Sequence, residues 1–229
     1  MKLQTLLEHL LSEQLYEDIE EIANYPEGFD IKQFTNLSSM SAKTRYLKQH
    51  NLDKLGVGSA RAVFVADPTT VIKVAKNTKG LEQNRLEVEI SETILDDDDA
   101  LIAKVRDHDD NYAYIEAERA RKAKPSDFKA ITGYHMKDII DSVVSYVNTN
   151  IKGVKWGRKP DNYTEIMESP FASGLLELIV NFQMPTGDIG RISSWGVVSR
   201  DGKPHLVLVD YGLDEDIYRR FYAYKEAKL

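Results

Sequence analysis

No cysteine occurs among the 229 residues, which removes disulfides, thiol nucleophiles and thiolate metal sites and suits a reducing compartment. The five histidines are scattered, so no zinc-ligand spacing appears. Long apolar runs are missing too. Glu8, Glu13 and Glu17 interrupt the amino-terminal leucines, so the start reads as neither a signal peptide nor a membrane span, and a cytoplasmic protein is expected. An excess of positive charge is also lacking. Lys plus Arg total 30 against 37 for Asp plus Glu, a formal charge of -7, which argues against nucleic acid or an anionic membrane as partner of the chain as a whole. What remains, 42% hydrophobic and 29% charged residues, suffices for one large or two small globular domains.

Leu3 to Ile22 carries leucine and isoleucine at helical spacing with acids on the other face, an amphipathic helix suited to packing on its own protein or on a protein partner. Ser41 is expected to cap a short helix holding Tyr46 and Leu47. Two β-rich runs, Leu55–Val65 and Val71–Ala75, flank the turn Asp67-Pro68 and predict a hairpin with Gly56 and Gly58 at its front. Glycines there let backbone amides approach a phosphate closely, although the same pair also suits a plain tight turn. Lys73 stands alone in the apolar second run and requires an acidic or phosphate partner. Leu81–Leu95 reads as a helix offering Glu87 on its apolar side, with Glu89 and Glu92 as rivals. The acidic run Asp96–Asp99 needs no function beyond a solvated loop.

Strands are expected at Leu101–Val105 and Tyr112–Ala117, the second leading into Glu118-Arg119-Ala120. Helices are expected over Ile131–Val147 and Phe171–Phe182. Between them Lys152, Lys155, Arg158 and Lys159 surround Trp156 in a basic loop over 152–163, which suits contact with a nucleic acid or a phosphorylated protein partner and equally a solvated loop with Trp156 tucked into the core. The stretch Trp195–Tyr211 reads as a hairpin turning at Arg200-Asp201-Gly202-Lys203. Two acids frame it: Asp188 before its first strand and Asp210 at the end of its second. Carboxylates at the ends of neighbouring elements can share magnesium beside substrate phosphates, which points to nucleotide chemistry.

Taken in order, these parts resemble the protein-kinase-like fold in its small bacterial, phage-type or aminoglycoside-phosphotransferase-like form, over roughly Leu55 to Leu213. The resemblance implies an α+β chain of two lobes with a minimal second lobe: a helical extension over 1–50, a sheet-and-helix lobe over 51–117, and a mostly helical lobe over 118–229. It implies that Gly56, Gly58, Ser59 and Arg61 form the loop over the ATP phosphates. Lys73 would hold those phosphates, Glu87 would pair with Lys73, and the hinge at Glu118 and Ala120 would bond adenine. Asp188 would be the catalytic-loop aspartate, and Asp210-Tyr211-Gly212 the metal-binding Asp-Phe-Gly with Tyr for Phe. Magnesium would fall to Asp210 with Ser193 or, on the other alignment, Ser194.

The departures from that pattern carry expectations of their own. Arg61 stands where the loop has its third glycine, Thr186-Gly187 precedes Asp188 in place of His-Arg or His-Gly, and a serine replaces the metal-binding asparagine. Only Asp214–Leu229 follows the Asp-Tyr-Gly, too little for a peptide-substrate platform. A phosphotransferase of low or partner-dependent activity is therefore expected. The alternative is a pseudokinase used for binding or assembly, in a phage virion or against a host.

Overall fold

The computed structural model describes residues 24–94, 100–154 and 157–223. The helix expected over Leu3–Ile22, the run Asp96–Asp99, Lys155 and Trp156 lie outside the described residues. Two short helices come first. Asp30 caps α1 (Ile31–Thr35) by accepting from the Lys32 and Gln33 amides, and Ser39 caps α2 (Met40–Gln49) by accepting from Ala42 N at 3.1 Å. The cap thus falls at Ser39 and not at Ser41, because Ser39 has the extended backbone that aims its hydroxyl at the third helical amide.

The chain is α+β and two-lobed, as the sequence reading expected. The first lobe is an antiparallel sheet of β1 (Lys54–Val57), β2 (Arg61–Val65), β3 (Thr70–Ala75), β4 (Val105–His108) and β5 (Tyr114–Glu118), in the order β1-β2-β3-β5-β4. Asp67 closes the β2–β3 turn, its carboxylate accepting from the Thr69 and Thr70 amides at 2.7 Å each. One face of the sheet, with Phe64, Ile72 and Val74, is covered by Phe34, Tyr46 and Leu47 of α1 and α2. Over the other lies α3 (Thr78–Thr93). It begins earlier than the expected Leu81 because Asn77 accepts from Gly80 N and so caps it. Leu86 and Ile90 of this helix belong to the core of the second lobe, so α3 is shared between the two.

The strand expected at Leu101–Val105 is displaced to β4. Residues 101–103 are drawn instead to the second lobe, where Ala103 N donates to Leu208 O at 2.9 Å and Leu208 N to Leu101 O at 2.8 Å. That lobe holds β6 (Arg121–Lys122), α4 (Pro125–Thr132), α5 (Met136–Tyr146), α6 (Tyr163–Met167), α7 (Pro170–Asn181), α8 (Thr186–Ile189), β7 (Trp195–Arg200), β8 (Lys203–Leu208) and α9 (Glu215–Phe221). The single helix expected over Ile131–Val147 is two, since Gly133 takes a left-handed φ of 85° and ends α4. The β7–β8 hairpin forms as expected. Its two turn residues, Asp201 and Gly202, have φ of 50° and 71°, the left-handed pair that matches the twist of a two-residue hairpin. Phe128, Leu175 and Trp195 lie in its core, and β6-β7-β8 makes a sheet separate from the first. Among the described residues no helix is long and apolar enough to cross a membrane.

Candidate functional site

Lys73 stands mid-strand on β3, in register with Val63 on β2 and Ile115 on β5. It is 4% exposed, so its charge must be met inside the protein. Nζ donates to Glu87 Oε2 at 2.5 Å and to the Val209 carbonyl at 3.0 Å. Of the three candidate glutamates on α3, then, Glu87 is the partner, and it is fully buried. Glu89 instead bonds Arg85 at 2.9 Å and Glu92 lies 3.7 Å from His108 Nε2, both with side chains more than half exposed.

A second cation enters the same cluster. Arg61, the first residue of β2, donates from Nη2 to Glu87 Oε1 at 2.8 Å and to Asp210 Oδ1, and from Nη1 to Asn84 Oδ1 at 3.3 Å. Asn84 is fully buried on α3 and holds Arg61 in place, since its amide nitrogen donates to Tyr112 O at 2.9 Å. Burial alone would raise the Glu87 carboxyl pKa, but the charges of Arg61 and Lys73 hold it below the ordinary value. For Lys73 the balance goes the other way. Burial pushes its ammonium pKa down, and Arg61 pushes it further, against the pull of Glu87. Arg61 itself is raised by Glu87 and Asp210 in spite of burial, so it is the member whose charge is permanent.

Asp210 follows β8 and keeps most of its side chain exposed, 65%, so one end of the cluster opens to solvent. Tyr211 next to it is fully buried, its hydroxyl donating to Ala103 O at 2.8 Å and its amide to Glu87 Oε1 at 3.3 Å. Gly212 is demanded by packing: a Cβ there would stand 2.3 Å from Gln83 O on α3. A comparable demand falls on Gly80, where a Cβ would meet Ala60 O at 2.3 Å. The turn from Gly58 to Arg61 is thus laid directly on the start of α3, and Lys76 Nζ donates to Gly58 O at 2.9 Å while Lys79 Nζ donates to Ser59 Oγ at 2.8 Å. Gly56 and Gly58 have no such demand, and around Gly56 the space is open.

That space belongs to a cavity between the lobes. Val63, Val71, Ala103 and Val209 wall it, with Lys73 at one end and Glu118 and Ala120 at the other. Glu118 is held away from any ligand. Its carboxylate accepts from Arg200 Nη2 at 2.5 Å and from Lys104 N at 2.9 Å, so a hinge contact can come only from its backbone. Ala120 N donates to no protein group among the described residues. Gly196 on β7 lets this segment approach, because a Cβ there would lie 2.4 Å from Ala120 Cβ and 2.8 Å from Val209 Cγ1.

The remaining candidates divide. Ser193 is exposed and lines the same cavity. Ser194 is buried, its hydroxyl donating to Asp188 O at 2.8 Å. The Asp188 carboxylate pairs with Arg191 at 3.2 Å and with no member of the Lys73–Glu87 cluster. Among the described residues no group of three or more Asp, Glu or His side chains is arranged to hold a metal ion. Asn84, Gly80 and Arg200 were missed in the sequence. An asparagine three residues before Glu87 on the same helical face was the one signal for Asn84.

No family model and no curated protein matches the chain. Among solved structures it is similar to SAICAR synthase from Saccharomyces cerevisiae complexed with SAICAR, at 10% identity, covering 72% of this chain and 74% of that chain, TM-score 0.34. It is similar to the streptomycin–ATP ternary complex of APH(2")-IIa at 13% identity, covering 77% and 72%, TM-score 0.34. A choline/ethanolamine kinase family protein from Mesorhizobium loti shares 14% identity over 69% and 57%, TM-score 0.26.

Proposed function

We propose that the cavity between the lobes binds a nucleoside triphosphate, ATP by preference, in the manner of a small protein-kinase-like protein. The observation that carries this is the buried Lys73 ammonium, held by Glu87 and the Val209 carbonyl at the end of an apolar cavity whose far end offers the unused amide of Ala120. An apolar slot with one donor at its end suits a purine, and a fixed ammonium at the other suits its phosphates. Gly56 leaves open the space a ligand would occupy.

Magnesium, which the resemblance assigns to Asp210 with Ser193 or Ser194, fits this donor set poorly. One Asp210 oxygen already accepts from Arg61, the Ser194 hydroxyl is turned into the protein, and Ser193 adds only a neutral oxygen. Asp188, the residue proposed to orient an acceptor hydroxyl, pairs with Arg191. These contacts favour a nucleotide-binding module whose phosphoryl transfer is slow or needs a partner to complete the acceptor site. Bacterial or phage origin and a protein partner at the helix expected over Leu3–Ile22 or at the 152–163 segment belong to the same proposal, and a pseudokinase used for binding or assembly is its alternative.

Calorimetric titration with ATP tests the reading. The wild-type chain should bind, and Lys73→Met should weaken binding about tenfold or more in a protein that still folds, with a lowered thermal midpoint, since Arg61 is then left as the one counter-charge of Glu87. Equal affinity in the two proteins would refute it.

A further inference from the structure

Two cations and two carboxylates meet at the phosphate end of the cleft. Lys73 and Arg61 balance Glu87 and Asp210, so the cluster is electrically neutral without any bound ion. We infer that Arg61 is a tethered cation at Asp210, standing where a divalent ion would otherwise be needed, and that the cleft takes its nucleotide free of metal. This rests on the nucleotide reading above and adds the form in which the ligand is bound.

The placement of Arg61 is over-determined. It leaves β2 at the register position opposite Ala75, and its guanidinium is bonded at once by Asn84 and Glu87 on α3 and by Asp210 after β8. Swinging it aside to free Asp210 would strip Glu87, fully buried, of one of its two counter-charges. Nor can the conflict be relieved by losing a proton, since a guanidinium stays charged at any accessible pH and the surrounding carboxylates raise its pKa further. A divalent ion on the Asp210 carboxylate would therefore sit within a few ångströms of a fixed positive charge, held by a single aspartate and the neutral Ser193. With Glu87 and Asp210 answered by Lys73 and Arg61, net positive charge for the phosphates is left to the lysines of the neighbouring turn. Beside Arg61 and Lys73, Lys76 and Lys79 both bond the turn from Gly58 to Arg61.

Two measurements decide the inference, and the first involves no nucleotide. Manganese binding is followed by water-proton relaxation in the wild type, in Arg61→Gln and in Arg61→Gln/Asp210→Asn. The wild type should show no site below millimolar manganese, Arg61→Gln should gain one tighter by tenfold or more, and the double variant should lose it again. A wild-type site in the micromolar range that Asp210→Asn removes would overturn the inference, as would an Arg61→Gln protein that folds yet gains none. In the second, ATP affinity of the wild type is compared in excess EDTA and in excess magnesium. The two values should agree within about threefold. A gain of tenfold or more with magnesium, returning to about one in Asp210→Asn, would overturn the inference and needs no Arg61 variant to fold. Absence of ATP binding in both buffers would refute the nucleotide reading itself, leaving the manganese series to decide the role of Arg61.

Discussion

At the scale of the residue, the chemistry turns on one fully buried glutamate that serves two cations. Glu87 bonds Lys73 through one oxygen and Arg61 through the other, so removing its charge leaves two buried cations facing a neutral group. Glu87→Gln is expected to destabilise the protein by about 3 kcal/mol, the usual cost of stripping one partner from a buried ion pair. Glu89→Gln, at a largely exposed position on the same helix, should stay within about 0.5 kcal/mol. Urea denaturation at neutral pH reads both. The depressed carboxyl of Glu87 also fixes a sign with pH. Its contribution is complete above the ordinary carboxylate range and is lost as pH falls through the lower value it has when folded. The wild type should therefore lose stability on acidification more steeply than Glu87→Gln, and a parallel pair of curves would show that Glu87 is not held ionised by its neighbours.

At the scale of the element, hydrogen bonds at the ends decide where helices start. Asp127 in the first turn of α4 accepts from Lys124 N at 2.7 Å and takes a two-pronged bond from Arg121 of β6 at 2.8 and 2.9 Å, tying the helix to the strand that follows the hinge. Those hydrogen bonds, from Arg121 first, push its carboxyl down to about 2. Asp127→Asn is expected to cost about 1 kcal/mol, in the range of a lost helix cap. The difference from wild type should hold at neutral pH and shrink as pH falls from about 4 through about 2, where the unfolded carboxyl is almost wholly protonated and the folded one about half. An undiminished difference at pH 2 would contradict the assignment. The same element scale explains the misplaced boundaries. Apolar spacing runs on through Ile131–Val147, but Gly133 breaks the backbone; likewise residues 101–103 have strand-like composition yet bond to β8 rather than to the first sheet.

At the scale of the molecule, the two lobes share α3, and Arg200 adds a polar tie to the hinge. Arg200, at the turn of the β7–β8 hairpin, donates to the Ala100 and Ile102 carbonyls at 2.8 Å each and to the Glu118 carboxylate. Arg200→Met should leave the Glu118 carboxylate to Lys104 N and speed amide exchange along residues 100–104 and 118–120 at least tenfold, with the β2–β3 hairpin unaffected; unchanged exchange would show that the apolar core alone sets the hinge. Much of this was legible in the chain itself. The alternation of apolar and turn residues determined the hairpins, and a lone lysine in an apolar strand determined that a buried partner must exist, because an unpaired charge in a core is too costly to keep. Which glutamate answers it was not legible, since helical spacing puts several on nearby faces and only the packing of α3 on the sheet selects Glu87. The meeting of Arg61 with Asp210 lay further out of reach. These residues are 149 positions apart, and no local pattern encodes a contact made only when two lobes close on one shared helix.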